Sequence, residues 1–303
     1  MLTYATLLTN ESYLKGVVAL KHSLDAVDAA HPLVVLAPAD ALPSSVCDQL
    51  ERLGCNLVVD ERVALPAGDA RYACEHFADC GIKLRLWSCT QYERIVYLDA
   101  DMIVLKNIDE LLERGGEDLC AVQECFCPVP ERRHMCPYSL DTTQPRCYFN
   151  AGMLVLRPDR AVAEDMMRSL QRCTLSAFAF AEQDFLNDYF AKSWASLPSG
   201  FNASKALYAC HRDAWDFCTI RVLHFTMAKP WDLRSPHNKG YAELNNLWLA
   251  AYAEPGSLGR LVLQIHLREK KRRRDRELGG RASLEASAGR KCGQAVESTL
   301  RTV

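Results

Sequence analysis

Asp99 and Asp101 stand in the stretch "RIVYLDADMIVLKNIDELL", between the apolar runs Ile95-Val96-Tyr97-Leu98 and Met102-Ile103-Val104-Leu105, with no basic residue between Arg94 and Lys106. An ionised carboxylate taken out of water is costly unless it is paired or bound to a cation. Two positions apart on an extended strand end, the two side chains point to one face. Convergent hard oxygens suit magnesium or manganese, which keep positions open for water and phosphate oxygens. The alternative, two acids merely solvated in a loop, fits poorly with flanking residues that anchor the segment in a core.

Such a pair needs a rigid edge to stand on. Leu2 to Leu8 is a β-rich run ending at "TNESYLKG"; Leu14, Val17, Val18 and Leu24 then recur at helical spacing, with Thr9 or Asn10 placed to cap. "LVVLA" (Leu33 to Ala37) reads as a buried strand. "SSVCDQLERLG" reads as a helix after Pro43 that Gly54 stops, and "NLVV" as a third strand. A helix over "IKLRLWSCT" leads into the strand before Asp99. Apolar strands alternating with helices predict a mostly parallel sheet with helices on both faces. Ligands of such sheets sit beyond the carboxyl ends of the strands, where Thr9, Asn10, Asp99 and Asp101 all fall.

The second half is less regular. "LCAVQE" is strand-like, a proline-rich loop follows, and "YFNAGMLVLRPD" is another strand. Helices are expected over Ala161 to Leu170, at "EQDFLNDYF" and near Tyr241 to Tyr252, with a strand at "IRVLHF". From Arg268 to Arg276 seven of nine residues are basic, and Gly, Ala and Ser then dominate. The organisation expected is one domain over 1–263 and a charged, disordered tail over 264–303.

The formal charge of −2 leaves no global field to recruit nucleic acid or an anionic membrane, so specificity must come from a local site. No run approaches the roughly 18 apolar residues of a membrane span, and "MLTYATLLTN" lacks the basic n-region and cleavage site of a signal peptide. The expectation is a cytoplasmic protein whose fourteen cysteines are reduced thiols. Five of them, Cys120, Cys125, Cys127, Cys136 and Cys147, cluster without a paired C-x-x-C, which favours a loop of thiols over a zinc site.

Three functions remain open for the aspartates. One is a nucleotide-diphosphate site, with metal on the D-x-D, diphosphate bridged and a sugar transferred. A second is a phosphohydrolase of the haloacid dehalogenase type, which calls for the motif on the first strand, Thr or Val two residues past the second Asp, and a late acidic pair. Here three βα units precede the motif, Ile103 takes that place, and no late acidic pair stands out. A third is a nucleotide-sugar binder without catalysis. A dinucleotide site lacks its G-x-G-x-x-G.

Five collinear blocks, "LLTNESYLKG", "IKLRLWSCTQYERIVYLDADMIVLKNIDELL", "YFNAGMLVLRPD", "AEQDFLN" and "VLHFTMAKPW", together resemble the retaining glycosyltransferases of family 8 over Leu2 to about Leu233. The resemblance implies a single-domain, GT-A type Rossmann-like α/β fold. It implies a UDP-sugar donor, a small polyol or saccharide acceptor, no nucleic-acid or membrane partner, and room for a homodimer. By it Leu7, Thr9, Asn10 and Tyr13 cradle the nucleotide. Asp99, Asp101 and His224 hold manganese, Ala100 meets the ribose, and Lys229 meets the diphosphate and assists departure of UDP. Asn150, Ala151 and Gly152 form the turn beneath the donor sugar, while Lys83 and Asp184 hold its hydroxyls. Glu182 and Gln183 lie near the anomeric carbon, and Gln183, neutral and weakly nucleophilic, favours front-face substitution over a covalent intermediate. Two departures stand out: the spacing of His224 from Lys229, and "TMA" in place of a glycine-containing turn.

"YFNAGM", "FAEQDFLN", "KLRLW" and "ECFCPVP" are more similar to the galactinol synthases of that family, which move galactose from UDP-galactose to myo-inositol. "DAD" and "TNESYLKG" are more similar to the glycogenins, which glucosylate their own tyrosine, and Tyr208 lies one position from where a self-acceptor would fall. The expected reaction is hexosyl transfer to a small polyol such as myo-inositol, ahead of self-glucosylation.

Overall fold

The structure, a computed structural model, describes residues 1–40, 42–63, 75–113, 116–138, 147–172, 180–254 and 256–271, leaving aside the side chains of 75–80 and 181. The chain divides into two units, Met1–Gly259 and Arg260–Val303. In the second, residues 260–271 are helical. The first residues of the tail expected over 264–303 are therefore helical rather than disordered, and 272–303 lie outside the described residues.

Strand β1 (Leu2–Leu7) runs through a 3₁₀ turn, Glu11–Tyr13, into α1 (Leu14–Ala26). Of the two expected caps it is Asn10 that acts, accepting from the Ser12 N–H at 3.1 Å. Next come β2 (Leu33–Pro38), α2 (Ser44–Arg52) and β3 (Asn56–Asp60), with Gly54 ending α2 at a left-handed φ of 72°. The helix expected over "IKLRLWSCT" is instead the end of a 3₁₀ run, Glu75–Ser88. Ile82, Lys83, Leu84, Leu86 and Trp87 are all buried there, too many for one stripe of an amphipathic α-helix.

After β4 (Arg94–Leu98) and β5 (Met102–Val104) the chain forms α3 (Glu110–Glu113), β6 (Leu119–Gln123), a 3₁₀ turn at Pro130–Met135 and β7 (Phe149–Leu156). It then adds α4 (Arg160–Arg172), α5 (Ala181–Tyr189), β8 (Ala195–Leu197), β9 (Ala203–Ser204), α6 (Lys205–Cys210), β10 (Val222–His224) and α7 (Ala242–Ala253). The main sheet has the order β3-β2-β1-β4-β7-β6-β8. β1 to β4 are mutually parallel, β7 runs antiparallel to both its neighbours, and β8 is parallel to β6. The mostly parallel α/β architecture is the one expected.

Alternate residues feed two cores. Ile95 and Tyr97 face the 3₁₀ run, α4 and α5, whereas Val96 and Leu98 face the side of α1 and α2. Two irregularities shape the edge where the site lies. Between Ala121 and Val122 the pairing to β7 jumps from Leu154 to Asn150, so Ala151 to Met153 bulge out of the β6 ladder. And β5 leaves the main sheet for a second one, in which β10 lies between β5 and β9.

Candidate active site

The turn Asp99-Ala100-Asp101 is where the chain passes from one sheet to the other. It is not extended, as the sequence suggested: the Met102 N–H bonds back to the Asp99 carbonyl at 3.1 Å, and the next strand joins a different sheet. Convergence of the carboxylates is achieved by the turn instead. α1 presses on it from outside, and only a glycine allows this, since a Cβ on Gly16 would meet the Ala100 carbonyl oxygen at 2.2 Å. From the other side the Asp99 N–H donates to the carbonyl of Gly152, in the β7 bulge, at 2.8 Å.

The second sheet brings in His224. β10 pairs antiparallel with β5 so that His224 lies opposite Met102, and the Phe225 N–H donates to the Asp101 carbonyl at 2.9 Å. His224 Nε2 is 3.3 Å from Asp101 Oδ1 and 4.0 Å from Asp99 Oδ2. The three donor atoms lie within 4.8 Å of one another.

The protonation of that imidazole is set by a chain of amides. Gly152 N–H donates to Asn150 Oδ1 at 2.9 Å, which fixes the orientation of Asn150. Asn202 must then turn its NH₂ to the same oxygen, at 2.8 Å, so its own Oδ1 faces His224 Nδ1 at 2.9 Å. Nδ1 carries the proton and Nε2 keeps its lone pair toward the carboxylates. Two hard oxygens and one neutral imidazole fit a divalent ion of the manganese type. Asn202 is absent from the motifs that mark this site; its place just before β9 is a product of tertiary pairing.

Cations surround the acids. Lys229 Nζ donates to Asp101 Oδ2. Burial pushes the Asp101 carboxyl up, but the Lys229 ammonium beside it outweighs this and holds it well below the usual range. Burial lowers the Lys229 ammonium, and Asp101 more than offsets this, so Lys229 stays charged. Lys83, 2% exposed, lies 2.8 Å from Glu182, 3.2 Å from Asp99 and 3.1 Å from the Ala151 carbonyl. Burial raises the Glu182 carboxyl against the opposing pull of Lys83.

The residues expected around the nucleotide are at the same edge. Leu7 is buried at the end of β1, while Thr9 and Asn10 are half-buried in the turn after it. Tyr13 stands edge-on to Trp231 with ring centres 5.5 Å apart, and Lys229 Nζ is 5.9 Å from its ring. Met227, in the "TMA" segment, has φ 65°, a left-handed conformation that a residue other than glycine adopts here. Lys205, missed in the sequence, is buried and donates to the Ala228 carbonyl and Asn238 Oδ1, both at 2.8 Å, bracing the segment before Lys229.

On the far side of Gly152, Gln183 Oε1 accepts from the Ala151 N–H at 2.9 Å. Its amide nitrogen faces Glu124 and the Tyr148 hydroxyl, each at 3.4 Å. Asp184 accepts from Arg132 at 3.0 Å, from the Tyr148 hydroxyl at 2.6 Å and from the Phe180 N–H at 2.7 Å. Glu124, also missed in the sequence, accepts from Asn150 at 2.5 Å, and burial raises its carboxyl. Glu124, Tyr138, Asn150, Asn202 and Leu207 line a small cleft beside these groups. Tyr208 is 9% exposed, with the Arg212 guanidinium 3.8 Å from its ring centre and Trp215 edge-on at 4.9 Å.

The D-x-D turn thus stands at the carboxyl end of the fourth strand, with His224 from the second sheet and Lys229 beside it. Residues 5–234 match the family model "Glycosyl transferase family 8". The chain belongs to this family. Family 8 comprises retaining hexosyltransferases that act on UDP-sugars and typically use a divalent metal. The chain is 35% identical over 246 residues to galactinol synthase 6 of Arabidopsis thaliana, covering 75% of this chain and 72% of that one. It is 33% identical over 245 residues to galactinol synthase 2 of Solanum lycopersicum, with the same shares covered. In structure it is similar to the galactosyltransferase LgtC, crystallised with donor and acceptor sugar analogues, at a TM-score of 0.63 and 18% identity over 83% of this chain and 95% of that one. That similarity bears on the fold. Among the described residues no helix is long and apolar enough to cross a membrane.

Proposed function

We propose that this family 8 enzyme transfers galactose from UDP-galactose to a small cyclitol such as myo-inositol, with retention at the anomeric carbon and manganese as the cofactor. The observation that carries the reading is the Asp99–Asp101–His224 cluster with Lys229 at its side, in a chain whose relatives of 33–36% identity are galactinol synthases. Asp99, Asp101 and His224 would hold the ion, which would supply positive charge against the diphosphate leaving group. Lys229 adds a second charge, and Tyr13 and Asn10 border the nucleotide.

Each carboxylate near Gln183 is already held by the protein. Glu182 is paired with Lys83, Asp184 with Arg132 and Tyr148, and Glu124 accepts from Asn150. None is poised as a nucleophile, which supports front-face substitution, the acceptor hydroxyl losing its proton to the departing diphosphate. The cleft beside Asn150 offers the carboxylate of Glu124 and the amides of Asn150 and Asn202 to a polyol. Tyr208, buried under Arg212 and Trp215, is badly placed as a self-acceptor. A cytoplasmic location and a homodimer belong to the same proposal.

UDP release measured with manganese over a grid of donors and acceptors tests the reading. UDP should form from UDP-galactose only when myo-inositol is present, with the intact protein mass unchanged. Hexose added to the protein, or no turnover with any acceptor, would overturn it. Asp101→Asn should cut turnover by at least about a hundredfold, the scale of losing a preorganised charge contact to the leaving group.

A further inference from the structure

We propose that Cys125, Cys127, Cys136 and His211 form a second metal centre, a closed four-ligand zinc site that shares no residue with the aspartate cluster. Their ligand atoms lie within 4.8 Å of one another. Sγ of Cys125 and Cys136 are 3.8 Å apart, and His211 Nε2 lies 3.1 Å from Cys127 Sγ and 3.4 Å from Cys136 Sγ. Bond lengths of about 2.3 Å to sulfur and 2.0–2.1 Å to nitrogen at tetrahedral angles place sulfurs about 3.8 Å apart, and sulfur and nitrogen about 3.6 Å apart. The Cys125–Cys136 spacing matches the first, and the two sulfur–nitrogen spacings fall about 0.2–0.5 Å inside the second, so an ion enters with an outward shift of the imidazole.

The chemistry of the donors selects the ion. Three soft sulfurs and an imidazole, with no carboxylate among them, suit zinc far better than the hard cations that the aspartate site attracts. A disulfide is a poor competitor, since 3.8 Å between Cys125 and Cys136 is far beyond the roughly 2.05 Å of a bonded pair. Cys136 is fully buried and Cys125 nearly so, wrapped by Phe126, Met135 and Tyr148. With four protein ligands no position is open for substrate, and the role is structural.

The segment it would brace is the one that follows β6. Cys125 and Cys127 follow β6, Cys136 follows the 3₁₀ turn Pro130–Met135, and His211 follows α6. Zinc ties these three together. Glu124 directly precedes the first ligand, and Arg132 on the turn grips Asp184. The centre thus fixes the wall of the cleft in which the acceptor is proposed to sit, yet its existence is independent of which acceptor that is.

Full-length protein produced in zinc-supplemented medium and passed through gel filtration should carry about one zinc per chain by elemental mass spectrometry, the content of a single structural site. A mercurial thiol reagent should release it. Cobalt substitution should give thiolate-to-cobalt charge-transfer absorption in the near ultraviolet. Asp101→Asn should retain the zinc, and Cys147→Ser, outside the cluster, should do the same. Cys136→Ser should lose it, and Cys136→His, which keeps four donors, should restore it. Zinc-free wild type that is folded, cobalt bound without thiolate absorption, or a wild-type mass showing a Cys125–Cys136 disulfide would each sink the proposal, and none of these readouts depends on transferase activity.

Discussion

The two aspartates are legible as a candidate metal site because everything that makes them unusual is local: two charges, two apolar flanks, no nearby cation in sequence. What makes them work is not local. His224 Nε2 offers its lone pair only because Gly152 N–H orients Asn150, which orients Asn202, which takes the Nδ1 proton. Gly152 is equally constrained in space, for a Cβ there would lie 2.5 Å from His224 Cε1 and 2.9 Å from Asp99 Oδ2. Asn202 touches neither carboxylate in this relay, so its removal tests the tautomer rather than the ligand count. Asn202→Ala should weaken manganese binding by about 10–100-fold, as loss of an outer-shell partner to a ligating histidine does. Titration of manganese followed by electron paramagnetic resonance reads this directly. Unchanged affinity would mean that the imidazole finds its tautomer unaided.

At the scale of elements, the pieces legible in the sequence are those with periodic or continuous apolar patterns, β1 to β4, β6, β7 and β10 with α1, α2, α4, α5 and α7. The 3₁₀ run before β4 is not, because Ile82, Lys83, Leu84, Leu86 and Trp87 are all buried and leave no amphipathic stripe. The short pieces β8, β9 and α6 have too few residues for any pattern, yet they deliver Asn202 and His211. Connections between elements also rest on polar groups that look like ordinary loop residues. Asp109 accepts from the Tyr4 hydroxyl at 2.7 Å, from Asn107 at 2.8 Å and from the Ala30 N–H at 3.1 Å, tying the start of α3 to β1 and to the turn before β2. Burial pushes its carboxyl up, but these hydrogen bonds outweigh it and leave it below its ordinary value of 3.8. A carboxyl with a depressed folded value stabilises fully above the unfolded one and loses that contribution as pH falls through its own. Asp109→Asn should therefore cost about 1.5–3 kcal/mol at neutral pH, the worth of hydrogen bonds to a charged group. Urea unfolding of both proteins should show the gap closing below about pH 4, where the unfolded-state carboxyl begins to protonate. A gap constant down to pH 2 would show that the charge is not what matters.

For the whole molecule, the sequence blocks identified the family and the edge of the sheet, because the blocks sit where strands end and each carries its own chemistry. They did not show that Glu124, Asn202 and Lys205 join that edge, or that His211, 75 residues from Cys136, completes a cluster with three of the five cysteines. Those are consequences of sheet order, which pairs β6 with β7 and β10 with β9 across long stretches of chain. The same assembly makes a thermodynamic demand. Lys229 is already committed to Asp101, and Asp99 and Asp101 present negative charge to anything entering, so a diphosphate arriving alone meets repulsion. A divalent ion held by Asp99, Asp101 and His224, as proposed, would reverse the sign at that point. UDP and manganese must therefore bind with positive coupling, typically about 1–3 kcal/mol, and each must tighten the other by the same factor. UDP at a hundred times its dissociation constant adds about 2.7 kcal/mol to stability. For a domain of this size that corresponds to about 5–10 °C in melting temperature. Scanning fluorimetry in metal-depleted buffer should show little shift with UDP alone, a modest one with manganese alone, and more than their sum with both. Calorimetry should then find the two affinities changed by equal factors. If UDP raises the melting temperature as much without manganese as with it, the aspartates do not hold the metal between the protein and the diphosphate.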